Sequence, residues 1–407
     1  MTGSTLIRGA RVLTMGDARG PRRGHALGEL HAIDGADVLI QGEKIADVGA
    51  GLKAPNGART IEALGRVVMP AFVDCHTHAC WAGERLDEWE QKQRGATYLE
   101  ILEAGGGIMS TVRAVRAASE DELARGLSVR LEAMLGEGTA HAEIKSGYGL
   151  TTADELKMLR AIAGASESFP GTVRISACIG HAKDPGVDAF VERTIGETLD
   201  AVHAEFPTAT IDAYCEQGAW TLDECLRLFD RAQSLGHPIR VHADQFNSLG
   251  MIPEAIRRGF ASVDHLEATT AADLEALAKS ETFGVMLPCS GFHVDGRYGD
   301  GPAFLDAGGA LAIATNANPG SAPCLSVPMA ISLAVRHLAL TAGEAIGACT
   351  VNGAALLGLE DCGRIAPGLQ ADLVMLRHTD ERQLGYEFGG RHVDAVFVGV
   401  MLVSGSA

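Results

Sequence analysis

The sequence is poor in several features that would each indicate a particular class of protein. Only 5% of its 407 residues are aromatic, so the core must be built mainly from aliphatic side chains. The nine cysteines are odd in number and include no CxxC pair, which disfavours a disulfide framework or a structural zinc site. No apolar run has the length of a membrane span, and the first residues lack the apolar stretch of a secretory signal. We therefore expect a cytoplasmic protein with no membrane partner.

Basic residues are also scarce. Lysine and arginine number 34 against 52 acidic residues, which gives a formal net charge of -18. Such a surface repels phosphate backbones, so we expect no nucleic-acid partner, and the simplest interpretation of the charge is solubility. A local group of basic side chains could still hold a small anionic molecule. A homodimer is compatible with the sequence, which does not determine the oligomeric state.

The order of apolar segments indicates the fold class. Short β-type runs occur at both ends, whereas between about residues 70 and 358 short apolar strands alternate with helical periodicity. Each strand ends in polar residues, as in FVDCHTH, AEIKSGYG, RVHAD and VDHLE. Alternation over this length predicts an α/β protein with a (β/α)8 TIM-like barrel, whose site lies at the carboxyl ends of its strands. A doubly wound open sheet is the alternative, but no GxGxxG follows a strand.

Histidines at these strand ends form the strongest chemical signal. His76 and His78 form an HxH pair after the first barrel strand, and alternate residues of a strand point to the same face. His181, His242 and His265 follow later strands. Each of them taken alone could be a hydrogen-bonded core histidine. Together they favour a convergent metal site.

The motifs also resemble a known family. An HxH followed by a later histidine resembles the amidohydrolase superfamily. The runs GATYLEILEAGGGI, EIKSGYGL, HADQFNSLG, DHLE, NANPGSAP and GRIAPGLQADLVML are similar to imidazolonepropionases in order and spacing. The resemblance is strong from about residue 70 to residue 376. It implies that the terminal β segments, 1–66 and 362–407, form a small β-sandwich domain into which a barrel of residues 67–361 is inserted.

The resemblance also implies an activity and a set of site residues. The activity is hydrolytic opening of 4-imidazolone-5-propionate to N-formimino-glutamate in histidine degradation. The metal, one divalent zinc or iron ion, would be bound by His76, His78, His242 and the residue at position 316. Substrate contacts would come from Arg85, Tyr98, Tyr148 and His181, and from the loop residues Asn318, Gly320 and Ser321. Gln245 and His265 would lie beside the ring that is opened.

These residue types suit that chemistry. Arginine supplies paired donors to the carboxylate of a propionate tail, and tyrosine supplies a further donor. The metal would polarise the ring carbonyl and lower the pKa of the attacking water. Without the resemblance, Arg85 would be assigned to a surface ion pair, and Tyr98 and Tyr148 to helix packing.

The chain departs from the family in the loop after the last barrel strand. The family has the sequence T-D-x-N-P-G there, whereas residues 315–320 read TNANPG, which places Asn316 at the aspartate position. An amide oxygen can ligate a metal weakly but cannot accept a proton from water. Three interpretations stay open: His265 acts as the base in a natural enzyme, Asn316 is an engineered inactivating substitution, or the metal and the activity have been lost.

Other readings of the function also stay open. The run LPCSGFH at 287–293 differs from the family's usual Gly-Ala-Phe-Tyr, which keeps a related ring open as an alternative. A thiohydantoin- or hydantoin-propionate, as in ergothioneine-type catabolism, is that alternative, with Cys289 either a soft neighbour or a buried inert thiol. The non-enzymatic alternative is an inactive ligand-binding barrel. A binuclear hydrolase would need a lysine at the end of strand four, which we assign to VRISACIGHA; it has none before His181, so we predict one metal.

Overall fold

The computed structural model describes residues 3–16, 19–95 and 106–405. Tyr98 therefore lies outside the described residues. Within these ranges, none of the helices combines the length and the apolar character that a bilayer crossing requires.

The chain begins with five strands that do not belong to the barrel. Their bounds are β1 Ser4–Leu13, β2 Ala32–Gln41, β3 Lys44–Gly49, β4 Arg59–Glu62 and β5 Val67–Pro70, with a 3-10 turn at Gly24–Gly28. β2 runs antiparallel to β1 and β3, while β4 and β5 run parallel to β1.

Eight parallel strands follow and pair with one another in chain order. Their bounds are β6 Phe72–Asp74, β7 Thr139–Lys145, β8 Thr172–Gly180, β9 Thr210–Cys215, β10 Arg240–Ala243, β11 Ser262–His265, β12 Phe283–Met286 and β13 Leu311–Ile313. The first and last strands meet just beyond their ends, where a parallel bridge joins Thr77 to Ala317 and the His78 amide donates to the Ala317 carbonyl at 2.9 Å. The predicted (β/α)8 barrel is confirmed.

Helices connect the barrel strands. Their bounds are α1 Leu86–Gln93, α2 Ile108–Ala117, α3 Glu120–Gly136, α4 Thr152–Ser168, α5 Phe190–Arg193, α6 Leu199–Glu205, α7 Leu222–Ser234, α8 Met251–Arg258, α9 Ala271–Ala278, α10 Pro288–Val294, α11 Gly301–Asp306, α12 Val327–His337, α13 Ala342–Ala348 and α14 Val351–Leu356. A π-helical turn, Thr194–Thr198, joins α5 to α6. Capping boxes start several helices; before α3, for example, Ser119 accepts from the Glu122 amide and Glu122 accepts from the Ser119 amide.

The chain returns to the first sheet at its end. A short helix, α15 Gln383–Tyr386, lies among β14 Asp372–Leu376, β15 Val393–Val398 and β16 Met401–Gly405. β14 pairs antiparallel with β5, so one sheet has the order β16-β15-β14-β5-β1-β2-β3, with β4 beside β1. Aliphatic side chains such as Ile7, Val38 and Leu373 fill its own core. The prediction of a small β domain made from both termini is confirmed.

The strand count corrects one detail of the sequence interpretation. The segment VRISACIGHA contains β8, which is the third barrel strand and not the fourth. The fourth strand is β9, with the sequence TIDAYC, and it also carries no lysine. The reason for predicting a single metal ion therefore still applies.

Candidate metal centre and substrate pocket

Three histidines meet at the carboxyl ends of the barrel strands. His76 and His78 follow β6, His242 lies on β10, and all three are at most 2% exposed. Each offers a ring nitrogen within 4.8 Å of those of the other two. The Nε2 atoms of His78 and His242 are 3.0 Å apart. The predicted ligand histidines are thus brought together at the predicted end of the barrel.

Two buried carboxylates determine the tautomers of this group. Nδ1 of His76 lies 2.6 Å from Asp264 Oδ2, and Nδ1 of His242 lies 3.0 Å from Asp212 Oδ1. Since an ionised carboxylate only accepts, each Nδ1 carries a proton and each Nε2 presents a lone pair. Nε2 of His76 is buried and has no hydrogen-bond partner among the described residues. The Nε2 atoms of His78 and His242 share one hydrogen bond, which a bound cation between the three rings would replace. Carboxylate–histidine pairs of this kind orient metal ligands.

A layer of buried charges lies beneath the histidines. Nζ of Lys145 is 2.7 Å from Asp212 Oδ2 and 2.9 Å from Glu143 Oε1. Nη2 of Arg240 is 2.6 Å from Asp264 Oδ2, and its Nη1 is 2.8 Å from Glu143 Oε2. Three carboxylates against two basic groups leave an excess of negative charge below the histidines. That excess favours a divalent ion there, although position 316 contributes no anionic ligand.

Burial keeps these side chains in the protonation states that metal binding requires. It lowers the pKa of His76 and His78 well below the usual histidine value, and it lowers that of His242 as well. Burial alone would raise the pKa of Asp212, but His242 and Lys145 outweigh it and hold that pKa well below its usual value. Neutral imidazoles beside ionised carboxylates are the forms that bind a metal ion.

The sequence interpretation did not identify this layer. Five of its residues were missed: Glu143, Lys145, Asp212, Arg240 and Asp264. A signal was present, because members of the layer and the site lie two residues apart on one strand, as Arg240 and His242 do on β10. In a strand such residues share a face, so the inward position of Arg240 could have been read from His242 on β10.

His181 and Tyr148 border the histidines on the side of β7 and β8. The ring of His181 stacks on that of His78, with centroids 4.6 Å apart and planes 14° apart. The Gly147 carbonyl accepts from His181 Nδ1 at 3.0 Å, so Nε2 is left as an acceptor. Burial and nearby His242 lower the pKa of His181 to about 3. The Tyr148 ring lies 5.2 Å from that of His181, and burial raises the pKa of its hydroxyl.

A glycine makes this arrangement possible. Gly147 has φ of +119°, and a Cβ there would lie 2.9 Å from both the Cys178 carbonyl oxygen and His181 Nδ1. Any other side chain would strain the backbone and displace His181. The glycine of the motif KSGYG is therefore required by the packing of this histidine.

Arg85 approaches the pocket from the segment that precedes α1. Its Nη2 donates to Glu88, and its side chain is 16% exposed. Its Nε is buried and has no partner within the part of the chain that the structure describes. A Cβ at Gly320 would come within 2.9 Å of Arg85 Nη1, so the guanidinium borders the loop after β13. An ion pair is therefore present with Glu88, but both of its side chains are largely buried, unlike the surface pair of the alternative interpretation.

His265 ends β11 on the opposite side of the metal ligands. Its ring centroid is 5.6 Å from that of His242, and its Nδ1 lies 3.2 Å from Glu267 Oε1. A donor bond to that carboxylate leaves the Nε2 of His265 free to accept a proton. Its φ of +99° is unfavourable for a residue with a side chain, and such strain is concentrated at functional sites. The sequence interpretation gave no role to Glu267.

Gln245 occupies the neighbouring loop. Its Oε1 accepts from the Tyr214 hydroxyl at 2.7 Å, and its Nε2 lies 3.5 Å from Ser290 Oγ. Tyr214 also borders the site, since its ring centroid is 6.0 Å from that of His242. Tyr214 lies two residues after Asp212 on β9 and was not anticipated. Cys289 is buried beside Ala322 in a separate apolar cluster, as the inert-thiol alternative supposed.

The loop after β13 brings Asn316 beside the first strand. Its backbone amide donates to the His76 carbonyl at 3.1 Å, and its φ of +55° is one that asparagine and aspartate tolerate. Asn318 stabilises the rest of the loop: its Oδ1 accepts from the Gly320 and Ser321 amides at 2.8 and 2.7 Å. Its Nδ2 donates to the Asn316 carbonyl at 2.6 Å. The predicted loop residues are therefore brought together with the HxH segment.

Comparisons with known proteins agree with this geometry. The sequence profile of the amidohydrolase family matches residues 88–384. An imidazolonepropionase of Herpetosiphon aurantiacus is 44% identical over 392 residues, which cover 92% of each chain. An imidazolonepropionase of Deinococcus radiodurans is 41% identical over 93% of this chain and 94% of its own.

Solved structures show the same fold at lower identity. A triazine hydrolase variant superposes with a TM-score of 0.76 at 18% identity, over 99% of this chain and 95% of its own. At that identity the likeness concerns the fold alone. The sequence relatives, by contrast, combine high coverage with identities of 41% and 44%.

Proposed function

The chain belongs to the amidohydrolase family and, within it, to the imidazolonepropionases, and from this membership we propose that it opens the ring of 4-imidazolone-5-propionate. Water adds at the ring carbonyl carbon, the ring C–N bond breaks, and the product is N-formimino-glutamate. The reaction is a hydrolysis, so no oxidant or reductant is needed. The proposal is carried by the Asp264–His76 and Asp212–His242 contacts, which turn the Nε2 atoms of both histidines toward one point.

We propose that one zinc or iron ion binds at His76, His78 and His242. When bound, the ion supplies Lewis acidity and lowers the pKa of water in the site. The protein residues perform the other tasks. Asp264 and Asp212 fix the imidazole tautomers, while Lys145 and Arg240 hold these carboxylates in place.

His265 supplies the base in this proposal. Asparagine at position 316 cannot take a proton from water, whereas the free Nε2 of His265 can. Glu267, at 3.2 Å from Nδ1, orients the ring and stabilises the imidazolium that forms. The protonated His265 then delivers its proton to the departing ring nitrogen, which balances the reaction. Asn316 would remain as a neutral donor or weak oxygen ligand.

The propionate tail is assigned to the side of the pocket formed by Arg85, Tyr148 and His181. Arg85 would hold the carboxylate through Nε and Nη1, because Glu88 occupies Nη2. His181 is neutral at pH 7, so its Nε2 would accept from a ring N–H. The loop of Asn318, Gly320 and Ser321 closes this side next to the guanidinium.

A second substrate remains a candidate because of Asn316. A thiohydantoin-propionate has the same tail, but its hydrolysis would occur at the thioxo carbon, which is a different carbon of the ring. The charge that develops on the substrate beside position 316 would therefore differ from that in imidazolonepropionate hydrolysis. The test is incubation of metal-loaded protein with each compound while the ring absorbance is followed. Formation of N-formimino-glutamate from imidazolonepropionate is the expected result. Turnover of only the thioxo compound would refute the primary proposal, and turnover of neither would support the inactive barrel.

A further inference from the structure

A second group of candidate metal ligands lies at the opposite end of the barrel. His141 is the third residue of β7, four residues before Lys145, so it lies about 13 Å along the strand from the charged layer. Asp372 is the first residue of β14, and Cys362 lies in the segment that leads to it. One ligand atom from each of these three residues lies within 4.8 Å of those of the other two. The group therefore joins the barrel to the terminal β domain.

Two of the three distances within the group match the edges of a small coordination tetrahedron, and the third is slightly longer. Nε2 of His141 is 3.4 Å from Asp372 Oδ2, and Cys362 Sγ is 3.9 Å from the same oxygen. Oδ1 of Asp361 lies 3.7 Å from that sulfur. A tetrahedral zinc ion with bonds of about 2.0–2.3 Å separates neighbouring ligand atoms by about 3.3–3.7 Å. Asp361 is not one of the three residues whose ligand atoms are all within 4.8 Å of one another, so its side chain would have to turn toward them to complete such a site.

Burial and charge are consistent with a cation in this position. His141 is 1% exposed and its Nδ1 has no hydrogen-bond partner, while Cys362 is 7% exposed. Lys44 contacts the group through Asp361 Oδ2 at 3.1 Å. One lysine faces two carboxylates, so the group carries an excess of negative charge that a divalent ion would offset.

We propose that His141, Cys362, Asp372 and Asp361 bind one zinc-class divalent ion that ties the barrel to the terminal β domain. Thiolate, imidazole and carboxylate are the ligand types of zinc. Binding displaces the Cys362 thiol proton to solvent, and no other bond changes. The side chain of Asp361 is 51% exposed and provides the route from solvent. This site is independent of the proposed ring hydrolysis.

A third group must be distinguished from it in any experiment. Cys178, Asp212 and His242 also satisfy the distance condition. Asp212 and His242, however, already contact each other at 3.0 Å, and Asp212 contacts Lys145 at 2.7 Å. Cys178 is therefore the control cysteine: like Cys362 it is a buried free thiol, but it lies beside the catalytic histidines.

Cobalt(II) provides the test, because a thiolate–Co²⁺ bond gives an intense near-ultraviolet charge-transfer band that histidine ligands do not give. Metal-free wild-type protein should bind two equivalents of Co²⁺ per chain and develop this band. Cys362→Ser should bind one equivalent and lack the band, with ring-opening activity within about twofold of wild type because the site is remote. Cys178→Ser should keep the band.

A second variant tests whether loss of the band could be due to misfolding of Cys362→Ser. His141→Gln removes a different ligand and should also lose the band and one equivalent of Co²⁺, with circular dichroism as the check of folding. The proposal would be overturned if wild-type protein showed no such band, or if the band persisted in folded Cys362→Ser. Loss of the band in Cys178→Ser alone would also overturn it.

Discussion

Asp264 accepts a hydrogen bond from Nδ1 of His76 at 2.6 Å, and this contact determines which nitrogen of the histidine can bind a metal ion. Arg240 holds the same carboxylate at 2.6 Å, so the orientation of a ligand at the barrel mouth depends on a guanidinium buried beneath it. The proposed chemistry therefore depends on a charged layer that never touches the substrate.

The first prediction concerns this contact. Asp264→Asn should weaken binding of Zn²⁺ about 10- to 100-fold, because the amide neither fixes the tautomer nor raises the basicity of His76. Competition with a chelator would measure the affinity. Asp230→Asn is the control, since Asp230 pairs with Arg258 at the surface and its side chain is 58% exposed. Equal Zn²⁺ affinities for wild type, Asp264→Asn and Asp230→Asn would mean that Asp264 does not orient His76 for metal binding.

The second prediction concerns stability. Lys145→Met leaves Glu143 and Asp212 without their shared cation in a fully buried site, which should cost about 3–5 kcal/mol of unfolding free energy. Urea titration would measure it. Arg160→Ala breaks an exposed pair with Glu205 and should cost no more than about 1 kcal/mol. Similar losses in both variants would contradict the importance given to the buried layer.

The third prediction concerns substrate binding. Arg85→Ala should raise KM for imidazolonepropionate by at least about tenfold, since a charge-assisted bond to the carboxylate is lost. The effect on an analogue without the carboxylate should be small. Initial rates with both compounds give the comparison. If KM rises equally for both, Arg85 acts on the fold of the loop through Glu88 and not on the tail.

The fourth prediction concerns Asn316. Asn316→Asp should raise Zn²⁺ affinity and, if the asparagine is an inactivating substitution, raise kcat by at least about 100-fold, as a positioned base contributes. If His265 is the natural base, the same change should raise affinity but leave kcat on imidazolonepropionate near the wild-type value. Metal content must be measured for both proteins. No change in affinity or in rate would place position 316 outside the reacting centre.

The sequence predicted those parts of the molecule that depend on local periodicity and on motifs. The barrel follows from alternating strands and helices, and the HxH pair is recognised as a motif directly after β6. Asp212 and Asp264 were missed because a single carboxylate in a strand has no signature until its histidine partner is located in space. Cys362 and His141 are 221 positions apart. No spacing rule connects two residues that come together only where the barrel packs against the terminal β domain.

The most direct test of the account is the initial rate of imidazolonepropionate hydrolysis measured against the Zn²⁺ content of the same sample. Metal-free protein would be titrated with the ion, in wild type and in His76→Ala. We expect the wild-type rate to rise in proportion to occupancy of the histidine site, and His76→Ala to remain inactive. Full activity in metal-free wild type, or undiminished activity in His76→Ala, would contradict the assignment of these histidines to catalysis.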